Sequence, residues 1–223
     1  MIPNQPVNKH AHKARVVVLL SGGGRTLGNL LRCRDEGTLP IDITRVISTR
    51  KRIRGNDVAR EAGVPLSIIP RREFATLDAF SDEVVGVLRA EAPDLVVMAG
   101  FLSKITIPSE LDGRTMNIHP ALLPLFGGRG LYGDRVHAAV LSAGMKVSGS
   151  TVHFVNTEYD AGPIIAQRCV PVLDDDDVDS LAARVFACEC ELYPAAIRLF
   201  IEGRLRIEGN RVRVLPENPP GEV

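Results

Sequence analysis

The chain contains no tryptophan, and aromatic residues make up only 4% of its 223 positions. Its core must therefore rest on aliphatic packing, for which a hydrophobic content of 45% is ample. Charge of one sign is also missing, because 27 basic residues balance 27 acidic ones. That removes any general pull toward nucleic acid or a membrane surface, so an anionic ligand must be caught by a local site. No apolar run approaches the roughly 18 residues that a membrane span needs, and no apolar segment of the secretory type opens the chain. Cysteine is scarce. Cys33, Cys169, Cys188 and Cys190 have neither zinc-site spacing nor the pattern of a disulfide framework. They read as reduced residues of a cytoplasmic protein without a metal site. Residues 1–13 are polar and residues 216–223 proline-rich, so both ends read as disordered tails around a single domain over 14–215.

What is present is alternation. Arg15 to Leu20 is a continuous β-branched apolar run, suited to a central parallel strand covered on both faces. Ser21-Gly-Gly-Gly-Arg-Thr follows, and then a helical stretch from Leu27. Glycines let the backbone approach a ligand closely, and a helix start offers free N–H groups and partial positive charge. The turn is a candidate phosphate seat, although it matches neither the dinucleotide fingerprint nor the lysine-containing nucleotide loop. Ile43 to Ser48 and Pro65 to Ile69 read as the next strands, separated by a short helix over Asn56 to Ala62. The basic cluster from Thr49 to Arg54, which includes Arg50-Lys51-Arg52, reads as a solvated loop, with a phosphate or partner contact as the alternative. Leu77 to Ala90 has helical apolar spacing, Asp94 to Gly100 reads as strand four, and Thr115 to His119 as strand five. Such β–α alternation predicts an α/β fold with a doubly wound, mostly parallel sheet. A helix over Asp134 to Ala143, strands over Ser148 to Phe154 and Gly162 to Val172, a long helix from about Asp179, and a hairpin around Gly209-Asn210 complete the chain. The acidic run Asp174 to Asp177 reads as helix capping.

One stretch concentrates chemistry. Asn117 and His119 stand two apart at the end of strand five, so their side chains share a face, and Pro120 ends the strand. Parallel pairing brings that strand end to the edge holding the Gly22–Thr26 turn and the Phe101–Ile105 loop, where open α/β sheets place ligands.

Four segments, in order, now resemble the folate-dependent formyltransferases. They are Ser21-Gly-Gly-Gly, Ala99-Gly-Phe-Leu, Asn117-Ile-His-Pro-Ala-Leu-Leu-Pro, and Thr151-Val-His-Phe-Val leading to Asp160-Ala-Gly-Pro-Ile. The resemblance runs from about Ala14 to Val214 and implies a Rossmann-like formyltransferase fold. It implies that a formyl group moves from the cosubstrate 10-formyltetrahydrofolate to the primary amine of glycinamide ribonucleotide. Asn117, His119 and Asp160 would be catalytic, with Asp160 raising the pKa of His119. Gly24, Arg25 and Thr26 match the phosphate-binding turn. Glu189 matches a contact to the glycinamide end, although by itself it reads as a helix-surface carboxylate. Leu102, Ser103, Lys104 and Ile105 match the loop that reads the pterin ring. Val155 and Glu158 belong to the opposite wall, Asn117 also faces the folate, and Arg72 matches a basic residue at the folate end. His153 reads as structural and His137 as a helix-surface residue. Gly127 to Arg135 is longer than in many relatives and reads as a lid or as a surface insertion. Formyl transfer to a sugar nucleotide, hydrolysis of formyltetrahydrofolate, and a non-catalytic folate- or nucleotide-binding module are the rival readings. Nothing in the sequence sets the oligomeric state.

Overall fold

Alternate residues of the first strand serve two different cores, which is why the run Ala14–Leu20 has almost no polar position. Val16, Val18 and Leu20 join one apolar cluster, while Val17 and Leu19 join another on the opposite face. A strand buried on both sides belongs at the centre of a parallel sheet. The computed structural model describes residues 13–217; of the tails expected over 1–13 and 216–223, residues 1–12 and 218–223 lie outside the described residues.

In chain order the elements are β1 (Ala14–Leu20), α1 (Arg25–Asp35), β2 (Ile41–Ser48), α2 (Arg54–Glu61), β3 (Leu66–Ile68), α3 (Leu77–Glu91), β4 (Leu95–Met98) and β5 (Thr115–His119). There follow α4 (Asp134–Ser142), β6 (Val147–Phe154), β7 (Ile164–Pro171), α5 (Val178–Ile201), β8 (Leu205–Glu208) and β9 (Arg211–Val214). The sheet has nine strands in the order β3-β2-β1-β4-β5-β6-β7-β9-β8. Strands β1 to β5 pair in parallel, whereas β6 runs antiparallel to both β5 and β7. The expected doubly wound, mostly parallel sheet with a long last helix and a closing hairpin is what forms. Helices α1, α2 and α5 contribute to one face and α3 to the other. The chain winds outward from β1 to β3 and then crosses back to β4, so the carboxyl end of β1 is the point where strand order reverses.

Three local details differ from the sequence expectation, each for a physical reason. Helix α1 begins at Arg25, so Arg25 and Thr26 lie in its first turn and not in the loop before it. Strand β2 begins at Ile41, whose fully buried side chain belongs to the same core as β1. Helix α5 begins at Val178 because Asp177 caps it: its carboxylate accepts from the Ser180 N–H at 2.8 Å, and the Ser180 hydroxyl accepts from the Asp177 N–H at 3.0 Å. The capping role read into the acidic run holds there.

Helix α5 also contains Pro194, which cannot donate to the carbonyl of Cys190 four residues earlier. The side-chain amide of Asn29 on α1 fills that gap, donating to the Cys190 carbonyl at 2.9 Å. The contact fastens α5 to α1 beside Glu189. One turn on, the hydroxyl of fully buried Tyr193 lies 3.1 and 2.9 Å from the carbonyls of Met98 and Met116, at β4 and β5.

Candidate active site

The glycine turn after β1 is shaped by a close approach of two backbones. Gly24 has φ +76°, and a Cβ there would stand 2.6 Å from the Cα of Gly55. Both the conformation and the contact require glycine. No side chain caps the start of α1, so its first N–H groups have no intrahelical acceptor. Arg25 and Thr26 of that first turn line the larger pocket described below, so the helix start can seat an anion there. Buried Ser21 ties this turn to its neighbours. Its hydroxyl is 2.6 Å from the Thr49 hydroxyl after β2 and accepts from the Leu102 N–H at 3.0 Å.

Met116 and Ile118 pack into the core of α1 and α5. Asn117 and His119, offset by one residue, therefore turn to the other face. His119 is 4% exposed, and its Nε2–H donates to the carbonyl of Phe126 at 2.8 Å. The opposite ring nitrogen, Nδ1, lies 3.7 Å from Asp160 Oδ2. Asp160 also stands 3.7 Å from His153 Nε2, so one carboxylate sits between two imidazoles, at distances longer than a hydrogen bond. It is held from a third side by the Gly128 N–H, which donates to Oδ2 at 2.9 Å. The register of β5 with β6 sets Asn117 opposite His153. His153 Nδ1–H donates to the Phe154 carbonyl at 2.8 Å, which leaves Nε2 free to accept from the Asn117 amide at 3.2 Å. That contact fixes which way the amide of Asn117 points.

The electrostatics correct the expectation for His119. Burial pushes its pKa down; Asp160 and the Phe126 carbonyl pull it up but do not overcome the loss of solvent. The imidazole is therefore neutral near pH 7. For Asp160 burial acts upward, yet His153, His119 and the Gly128 N–H together hold it below the ordinary carboxylate value, so it is ionised. On α5 the Glu189 carboxyl is pushed up to about 7 by burial, an effect that the charge of Arg25 partly offsets.

Two pockets meet at this centre. The first, about 70 Å³, is a slot lined by Ser103, Lys104, Ile105, Val155 and Glu158, with Asn117, His153 and Asp160 at one end. The second, about 530 Å³, takes in Arg25, Thr26 and Glu189 together with Asn117, His119 and Asp160. The residues assigned from sequence thus assemble, with three departures. Gly24 lines neither pocket, because its backbone packs against Gly55. Leu102 borders the larger pocket and not the slot, and Arg72 lies outside both, in a separate cleft. Arg25 does not project freely: its Cζ is 3.7 Å from the centre of the Phe186 ring. His137 is not a surface residue but is 4% exposed, lines the larger pocket, and has an Nδ1 without a hydrogen-bond partner among the described residues. His153, read as structural, belongs to the centre; its place across from Asn117 depends on strand register, which the sequence signals only through the alternation of β6. Ser21 was missed as well, since a serine before glycines carries no mark of a three-way contact. Among the described residues no group of histidine, cysteine and acidic side chains could hold a metal ion, and no helix is long and apolar enough to cross a membrane.

A family model described as formyl transferase matches residues 14–197. The chain is 39% identical over 199 residues to the chloroplastic phosphoribosylglycinamide formyltransferase of Arabidopsis thaliana, covering 87% of this chain and 68% of that one. It is 35% identical over 198 residues to phosphoribosylglycinamide formyltransferase of Escherichia coli K12, covering 87% and 91%. Its structure is similar to that of glycinamide ribonucleotide transformylase 1 from Symbiobacterium toebii, with a TM-score of 0.86 and 40% identity, over 96% of this chain and 99% of that one.

Proposed function

This chain belongs to the formyl transferase family, and we propose that it moves a formyl group from 10-formyltetrahydrofolate to the amine of glycinamide ribonucleotide, a step of purine synthesis. The observation that carries the reading is the junction: Asn117 and Asp160 line both the slot and the larger pocket. A donor bound in one and an acceptor bound in the other would meet beside the same two polar groups, with His119 on the larger-pocket side. The names of relatives at 35–40% identity, phosphoribosylglycinamide formyltransferase and glycinamide ribonucleotide transformylase, support this acceptor.

The amine nitrogen of the ribonucleotide attacks the formyl carbon, and the carbonyl electron pair moves onto oxygen. Asn117 uses one amide N–H toward His153 and offers the other to the oxyanion. Neutral His119 takes a proton from the new ammonium at Nδ1, and ionised Asp160 beside it stabilises the imidazolium. The bond between N10 and the formyl carbon then breaks, the proton passes to N10, and the carbonyl reforms. Tetrahydrofolate and the formylated ribonucleotide leave, and His119 is neutral again. The pterin ring fills the slot between the Ser103–Ile105 loop and Val155 to Glu158. The phosphate sits on the N-terminus of α1 beside Arg25 and Thr26, and Glu189 meets the glycinamide end. The free cysteines at 33, 169, 188 and 190 support a reducing compartment, and we place the protein in the cytoplasm.

The test is to follow tetrahydrofolate formation with and without the ribonucleotide. Tetrahydrofolate and formylated ribonucleotide are expected in equal amounts, with almost none when the acceptor is omitted. Equal release without the acceptor would make the protein a hydrolase and overturn the reading.

A further inference from the structure

One aromatic ring of the larger pocket serves no core. Phe186 stands on α5 three residues before Glu189, so the two side chains share a helix face, and both line that pocket. Its side chain is half-buried and joins none of the three apolar clusters of the described residues, although aromatic residues make up only 4% of the chain. What the ring touches is a charge. The Cζ of Arg25, from the first turn of α1, lies 3.7 Å from the ring centre, which is van der Waals contact over the ring face. Arg25 has no hydrogen-bond or ion-pair partner among the described residues, so the N–H groups of its guanidinium are open to a ligand. Its charge also draws down the carboxyl of Glu189, which puts the two groups within electrostatic reach of each other.

We propose that Phe186 is a positioning residue for the acceptor's phosphate, acting through Arg25. The proposal rests on the proposed function and adds to it the group that aims the cation. Arg25 is exposed at a helix start, and a long side chain left free there spreads over many rotamers, which a ligand must then fix at the expense of affinity. Stacking settles this beforehand. The ring takes the flat face of the guanidinium and leaves the N–H groups, which lie in its plane, free for two parallel bonds to a phosphate. An apolar partner suits the task better than an acidic one. A carboxylate at position 186 would hold the guanidinium by the same N–H groups that the phosphate needs. A lysine at position 25 could not be aimed in this way, because an ammonium has no flat face to stack.

The test measures KM for glycinamide ribonucleotide in Phe186→Leu, Phe186→Tyr and Arg25→Lys, and in Phe186→Leu combined with Arg25→Ala. In Phe186→Leu that KM is expected to rise about three- to tenfold, the range of a partly exposed cation–π contact, while kcat and the KM for 10-formyltetrahydrofolate stay unchanged. Phe186→Tyr keeps the ring face and is expected to restore the KM of the intact protein. Arg25→Lys keeps the charge, leaves α5 untouched, and is expected to raise KM as Phe186→Leu does. On an Arg25→Ala background, Phe186→Leu is expected to change KM no further, because the ring then has nothing to aim. A KM that rises by the same factor with and without Arg25, or one left unchanged in Phe186→Leu or in Arg25→Lys, would overturn this inference alone. Absence of ribonucleotide-dependent transfer in the intact protein would overturn the proposed function and this inference with it.

Discussion

The centre and the rim of the crevice are both polar, yet they are built on opposite terms. At the centre, His119 and His153 are 4% and 2% exposed, and Asp160 is held between them. Each group has a hydrogen bond that fixes its direction: to the Phe126 carbonyl, to the Phe154 carbonyl, and from the Gly128 N–H. At the rim, Arg50, Lys51, Arg52 and Arg72 face solvent. Burial shifts protonation at the centre, and water screens charge at the rim. The contrast teaches how one crevice divides its labour. Groups proposed to change charge during the reaction are withdrawn from water and pre-oriented, whereas the rim cations keep their contact with solvent.

That division can be broken at its strongest point first. Asn117→Ala removes the amide offered to the oxyanion, and kcat is expected to fall about 100- to 1000-fold with little change in either KM. His153→Phe keeps the ring but removes the acceptor that orients Asn117. Here kcat is expected to fall about tenfold, with both KM values unchanged, because the amide is misdirected and not absent. A purely structural role for His153 would lower thermal stability and leave kcat per folded molecule intact, so a melting curve and an active-site titration separate the two. The smallest effect belongs to Glu189, which lies between the two regimes. Its carboxyl titrates at about 7, so it gains charge, and accepting power, as pH rises through that value. KM for the ribonucleotide is expected to fall a few-fold between about pH 6 and 8, and Glu189→Gln should flatten that dependence.

Much of this frame is legible in the sequence, for identifiable reasons. The two-sided apolar run of β1, the helical spacing of α3, and the proline closing β5 are local signals, and the elements appear where those signals put them. The Asn117 and His119 pair is legible because a period of two needs no tertiary information. What was hidden depends on contacts distant in sequence. Asp160 was visible as a partner for His119, but the sequence does not report how much solvent the histidine loses, and that loss reverses the direction of its shift. His137 lies on a helix with polar neighbours at Asp134 and Arg135, and only the packing of α4 against α5 shows that it is buried. The basic run Arg50-Lys51-Arg52 is exposed, as a solvated loop is, but nothing local shows that it lines one cleft with Leu102 and Ser103.

The claim that most needs testing is that burial keeps His119 neutral while Asp160 stays charged beside it. The measurement is kcat as a function of pH for the intact protein and for Asp160→Asn. The account predicts an acid limb with an apparent pKa below 6.5, the reference value for histidine, since the unprotonated ring is required and is lost only as pH falls through its lowered value. In Asp160→Asn the charge that pulls the histidine upward is gone, so kcat drops about 100-fold and the limb moves to still lower pH. A limb at or above 6.5, or an Asp160→Asn variant within a few-fold of the intact protein, would contradict the account.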